Sequence, residues 1–198
     1  MRRAILSTLV AAACLVAAGC HRPQASGEVQ RVREGVDAFR AGDRDRLTGL
    51  LEDAKAYTRD TDPCSNRAFA ETRRDAVVDL LAPLDRADLF SVSEEARFAY
   101  LARAARHAGL DDMPRPIACD GVSRRTARKD FAERRAVLIA YEDAAALWRR
   151  DLEGRYGEEE LEQRLELARV TLRRNHVGEI RLSSVTGRPA RWAAAWSR

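Results

Sequence analysis

The chain of 198 residues holds no uninterrupted run of about 20 apolar residues, the length a helix needs to cross a bilayer. A spanning helix is therefore not expected. Histidine is scarce: His21, His107 and His176 stand alone, and none belongs to an HExxH or to a cysteine–histidine cluster with zinc spacing. His107 and His176 fall near expected helix ends, where a cation suits the helix dipole. Cysteine numbers four with no CxxC pair, which argues against a dithiol redox enzyme. No GxSxG, phosphate-binding loop or dinucleotide fingerprint occurs. The net charge of +4 is small for this length, and Arg2 and Arg3 supply part of it. Nucleic acid is not the expected partner. Acidic residues are plentiful, but Glu158-Glu159-Glu160 sits where a helix start favours negative charge, and Asp111-Asp112 falls in an irregular stretch. No catalytic residue, metal site or cofactor is expected, and the chain reads as a non-enzyme.

The first residues carry a compartment signal. Met1-Arg2-Arg3 is basic, Ala4 to Gly19 is apolar or small apart from Ser7 and Thr8, and the run stops at Gly19-Cys20. A basic start, a short apolar run and a small-residue exit read as a secretory signal. The stretch VAAGC (residues 16–20) resembles the lipobox of bacterial lipoprotein precursors, with Ala17 where leucine is commonest. The resemblance covers this segment alone. It implies that residues 1–19 are removed and that Cys20 carries a diacylglyceryl thioether and an N-acyl chain. One acyl chain binds a membrane only marginally, whereas several hold it stably. His21 follows where aspartate would favour the inner membrane, so the resemblance implies the periplasmic face of an outer membrane. Residues 20–28 are polar, with Pro23 and Gly27, and read as a tether.

In an exported chain the remaining cysteines, Cys64 and Cys119, are expected to form one disulfide. Cross-linking a loop of this length contributes ~4 kcal/mol in the chain-entropy model. Both cysteines lie beside turn formers, Pro63 and Asp120-Gly121, so the bridge is expected to pin two interhelical loops together.

Residues 29–198 are expected to form one all-α domain, a bundle of about six helices with a short irregular or helical C-terminal tail. Val29, Val32, Val36 and Phe39 share a helix face that Gly42 ends. Asp43 is placed to cap a second helix with Leu47, Leu50, Leu51, Ala54 and Tyr57. Ser65 or Asn66 starts a third, with Phe69, Val77, Leu80, Leu81 and Leu84 facing inward. Ser91-Val92-Ser93-Glu94 reads as a capping box for a fourth, with Phe90 as its hydrophobic staple. A long fifth helix, about 123–155, carries the stripe Phe131, Leu138, Tyr141, Ala145, Trp148 and Leu152, and GRYG (154–157) is expected to break it. A sixth starts at Glu158 with Leu161, Leu165, Ala168 and Leu172. Residues 179–185 are the one stretch that could be a strand.

Two regions stand out as interaction candidates. Arg124, Arg125, Arg128, Lys129, Arg134 and Arg135 form a basic section relieved by Asp130 and Glu133, and Arg124, Arg128 and Arg135 can share a face. The tail after Glu179 has no acidic residue but carries Arg191, Trp192 and Trp196, side chains favoured at binding hot spots and membrane interfaces. The two tryptophans could equally pack back on the bundle. The expectation is a lipid-anchored module that binds a protein partner, an immunity or inhibitor protein against an envelope-acting toxin or hydrolase. A pilotin-like accessory for secretion or envelope assembly is the second reading, and a cell-wall enzyme the third.

Overall fold

The computed structural model describes residues 26–57, 64–108 and 122–175. Among them the fold is all-α: α1 (Gly27–Ala41), α2 (Arg44–Lys55), α3 (Asn66–Leu81), the four-residue α4 (Ala87–Phe90), α5 (Glu94–Ala108), α6 (Arg124–Tyr156) and α7 (Glu158–Arg174). No strand occurs among the described residues. Residues 179–185 lie outside them, as do the tail, the signal segment and the tether up to residue 25.

Short polar side chains set most of the helix starts. Ser26 accepts from the Val29 amide, Asp43 from Arg46, Ser65 from Ala68 and Ser123 from Thr126, each satisfying an amide that the helix itself leaves open. Gly42, at φ 75°, closes α1 in the left-handed region that glycine enters without steric cost. Gly157, at φ 77°, separates α6 from α7. The helix breaks within GRYG as expected, at Gly157, while Gly154 lies exposed inside α6.

α6 is the spine of the molecule. It touches α1, α3, α5 and α7, while α2 bridges α1 and α3. At ~1.5 Å per residue its 33 residues extend about 50 Å, and each neighbouring helix covers only part of that length. Around its C-terminal half lies an aromatic cluster. Trp148 meets Phe39 of α1 and Phe98 of α5 edge-on, at 6.2 and 5.5 Å between ring centroids, and Phe39 meets Phe90 of α4 at 5.5 Å. Edge-to-face pairs of this kind suit the ring quadrupoles. The Trp148 indole donates to Glu94 at 3.0 Å, so its one polar atom is satisfied.

Three local expectations need correction. The helix after residue 90 is capped by Ser93, which accepts from the Ala96 amide, and not by a Ser91–Glu94 box. The Ser91 hydroxyl donates to the Asp88 carbonyl, and the Glu94 carboxylate accepts from Trp148 and Arg155. On α6, Phe131 and Leu138 are only half-buried. The buried line runs through Ala127, Asp130, Arg134, Val137, Ala140 and Tyr141 before joining Ala145, Trp148 and Leu152. Likewise Leu50 and Tyr57 are half-buried, leaving Leu47, Leu51 and Ala54 as the inner face of α2.

Gly35 of α1 packs directly against the Leu81 side chain of α3. A Cβ there would stand 2.6 Å from Cδ1 of the fully buried Leu81. Overpacking a core costs about 1–3 kcal/mol, against about 1 kcal/mol regained from helix propensity. Gly35→Ala should therefore lower the stability measured by urea unfolding, and Leu81→Val in the same chain should recover part of the loss. A Gly35→Ala variant as stable as the parent would show that the Leu81 side chain can move aside without cost.

Candidate functional site

The first concentration of charge is buried. Asp130, Glu71 and Arg134 are 1%, 7% and 5% exposed, between α3 and the N-terminal half of α6. Arg73 of α3 donates to Asp130 at 3.2 Å and its Nε stands 3.1 Å from Glu133. Arg134 Nε lies 3.4 Å from the other Asp130 oxygen, and Arg67 stands 3.7 Å from Glu71. Positions 130 and 134 are one helical turn apart, so both side chains project from the same face toward α3.

Burial pushes the Asp130 carboxyl up to about 6, against the downward pull of Arg134 and Arg73. Burial likewise lowers the affinity of the Arg134 guanidinium for its proton, opposed by Asp130. A carboxyl near 6 has the proton affinity of a general acid or base. This one is closed to substrate, and both its oxygens face guanidinium groups, so the arrangement clamps α3 to α6. Arg134 had read as part of a basic surface; it is a core residue instead.

The second concentration is exposed. Arg124, Arg128 and Arg135 lie on the outer face of α6, four and seven residues apart, with Arg125 and Lys129 beside them. At about 100° per residue the three fall within a narrow arc. Arg124, Arg125, Arg128 and Arg135 make no hydrogen bond or ion pair among the described residues. Arginines elsewhere on α6 and on α7 are mostly paired, though Arg150 and Arg174 have no partner among the described residues. Arg149 pairs with Glu153 and Glu162, Arg155 with Glu94, Arg164 with Glu160 and Glu95, and Arg173 with Glu166. The first turn of α6 contains no acidic residue, so its cations sit at the positive end of a helix dipole.

Of the remaining residues singled out in the sequence, Cys20, Cys119, Arg191, Trp192, Trp196, His21, His176, Asp111 and Asp112 lie outside the described residues. His107 is exposed in the last turn of α5. Cys64 is half-buried and packs on Phe69 and Ala127, as does Val122, three residues beyond Cys119. No group of histidine, cysteine or carboxylate side chains among the described residues is arranged to hold a metal ion, and none of their helices is long and apolar enough to cross a membrane.

Compared with known proteins, the chain matches no family model, no curated protein and no solved structure.

Asp130 offers a direct measurement. Its folded value lies above its ordinary one of 3.8, so the folded protein binds this proton more tightly than the unfolded chain. The stabilisation linked to this group is fully present below pH 3.8 and is lost as pH rises through about 6. The side-chain carboxyl carbon should titrate near pH 6 by NMR, and Asp130→Asn should remove this group's contribution to the pH dependence of unfolding. A midpoint below the ordinary value would mean that the two guanidiniums outweigh burial.

Proposed function

We propose that the chain is an exported envelope lipoprotein, anchored through Cys20 on the periplasmic face of an outer membrane, that works by binding another protein. The single observation that carries the binding part is the unpaired outer face of α6. Arg124, Arg125 and Arg128 crowd the dipole-disfavoured start of a helix, with Arg135 further along it. Like charges so placed oppose folding. An acidic partner would relieve them and be steered to them over distance. The anchoring part rests on the resemblance of residues 16–20 to a lipobox. In such a compartment the fitting role is that of an immunity or inhibitor protein, which masks an incoming toxin or hydrolase by stoichiometric binding. Arg191, Trp192 and Trp196 are proposed as additional anchors of that contact.

The domain is further proposed to be stapled by Cys64–Cys119. The packing of Cys64 and Val122 on the same Phe69–Ala127 pair supports it, since it brings the chain near Cys119 toward Cys64. Intact-mass analysis of freshly isolated, non-reduced protein should find neither thiol open to alkylation. Two alkylated thiols would rule the bridge out.

The functional test is genetic and biochemical. Deleting the gene should sensitise cells to one envelope-acting protein, and restoring it should protect at near one-to-one stoichiometry. Cys20→Ser should fold but leave the membrane fraction. Arg124→Glu, Arg128→Glu and Arg135→Glu together should slow association at least tenfold and reduce its salt dependence, since steering depends on these charges. Turnover of a cell-wall substrate by the purified domain, or mislocalisation of a secretion pore as the sole effect of deletion, would overturn the reading.

A further inference from the structure

The outer face of α6 carries more than charge. Ala132, Ala136, Ile139, Ala146 and Leu147 are all exposed along it, and Leu147 and Ile139 are 58% and 39% exposed. Positions 132, 139 and 146 recur every seven residues, the spacing at which one helix keeps the same side turned to another. α6 thus has two seams: an inner one closed by the bundle and an outer one that nothing among the described residues covers. Small side chains at 132, 136 and 146 allow a backbone to come close, with Ile139 and Leu147 as knobs. Arg124, Arg128 and Arg135 flank this seam on one side.

We infer that the outer seam of α6 receives a helix of the partner protein, with acidic residues aligned along the edge that meets Arg124, Arg128 and Arg135. The inference rests on the protein-binding reading above and specifies its geometry.

Charge selects this occupant over the others. The chain's own tail has no acidic residue after Glu179 and would bring arginine to arginine. A second copy of this face is itself net basic, with Glu142 and Asp143 as its acids against Arg124, Arg125, Arg128, Arg135 and Arg150. An antiparallel copy would also lay the arginine edge toward the exposed Arg150. A membrane of anionic lipid would meet Asp143, exposed beside Ile139 in the middle of the seam. A partner helix can set a cation beside that one carboxylate and acids along the arginine edge.

The test is site-directed photo-crosslinking in the native cell with the full, unprocessed-to-mature chain. p-Benzoylphenylalanine replaces Ala132, Ala136 or Leu147 in α6, or Leu167, which is 68% exposed on α7, as the comparison site. All three α6 positions should give adducts to the same protein. Mass spectrometry should place them in one segment with Asp or Glu recurring every three or four residues. The charge reversal Arg124→Glu, Arg128→Glu, Arg135→Glu should reduce these adducts at least tenfold, while circular dichroism stays unchanged. Adducts only to lipid, only to a second copy, or to a segment without such acids would overturn the inference. Protein adducts confined to Leu167 would overturn it while leaving the protein-binding reading intact. No protein adduct at any position would overturn both.

Discussion

The position of Trp148 is the constraint on which the rest of the bundle depends. Its ring faces the edges or faces of Phe39 and Phe98, which come from the first and fifth helices, and its indole N–H is bonded to Glu94 at the start of α5. Glu94 in turn holds Arg155 two residues before the chain reverses at Gly157, and the bonded Arg155 keeps the Glu94 carboxyl below the usual range. One side chain therefore fixes how far α1 and α5 stand from α6 and, through Glu94 and Arg155, where α7 departs. Truncating a buried tryptophan costs about 3–5 kcal/mol, a large fraction of the ~5–15 kcal/mol that holds a domain folded.

The two halves of α6 are held by different physics. Around Trp148, Leu152 and Ala145 the contacts are apolar, and burial itself supplies the attraction. Around Asp130 and Arg134 the same helix face presents charge to α3, and attraction exists only while the ions stay paired and correctly placed. An apolar interface tolerates sliding better than a bonded cluster does. The polar half thus fixes the register of α3 on α6, and the apolar half supplies most of the cohesion. Tyr141, fully buried between them, has its hydroxyl without a hydrogen-bond partner among the described residues.

The same division explains what could be read from residues alone. α1 and α7 were legible because Val29, Val32, Val36 and Phe39, and Leu161, Leu165, Ala168 and Leu172, are apolar at helical spacing and are all buried. The N-terminal half of α6 was not. Apolar periodicity selects Phe131 and Leu138 there, whereas the buried positions belong to Arg134 and to Asp130, and the pairing of Asp130 with Arg73 joins residues 57 apart in the chain. The Ser91–Glu94 motif failed for a related reason, since Glu94 is drawn to Trp148 and Arg155 on another helix. α4 was missed because four residues show no period, although they bury Leu89. That Arg124, Arg128 and Arg135 share a face follows from helix geometry. That they lack partners while Arg149 and Arg155 further along the same helix have them is a tertiary property that no local pattern carries.

That last contrast bears most on function. A chain this rich in arginine and carboxylates has ready means to neutralise its surface, and along α7 it does so turn by turn. Each such exposed pair contributes little stability, typically ~0–1 kcal/mol, so their absence at Arg124, Arg128 and Arg135 is not a stability matter alone. What their absence changes is the field: several guanidiniums on one ridge, at the positive end of a helix, sum to a potential that reaches into solvent. The seam of small and apolar residues beside them adds the short-range contact that charge cannot supply, since rim charges steer while buried anchors hold. Steering by the arginine edge and close approach over Ala132, Ala136 and Ile139 are separable properties of one helix face. Reversing the charges should act on the rate of encounter, and enlarging the alanines should act on the lifetime of the complex.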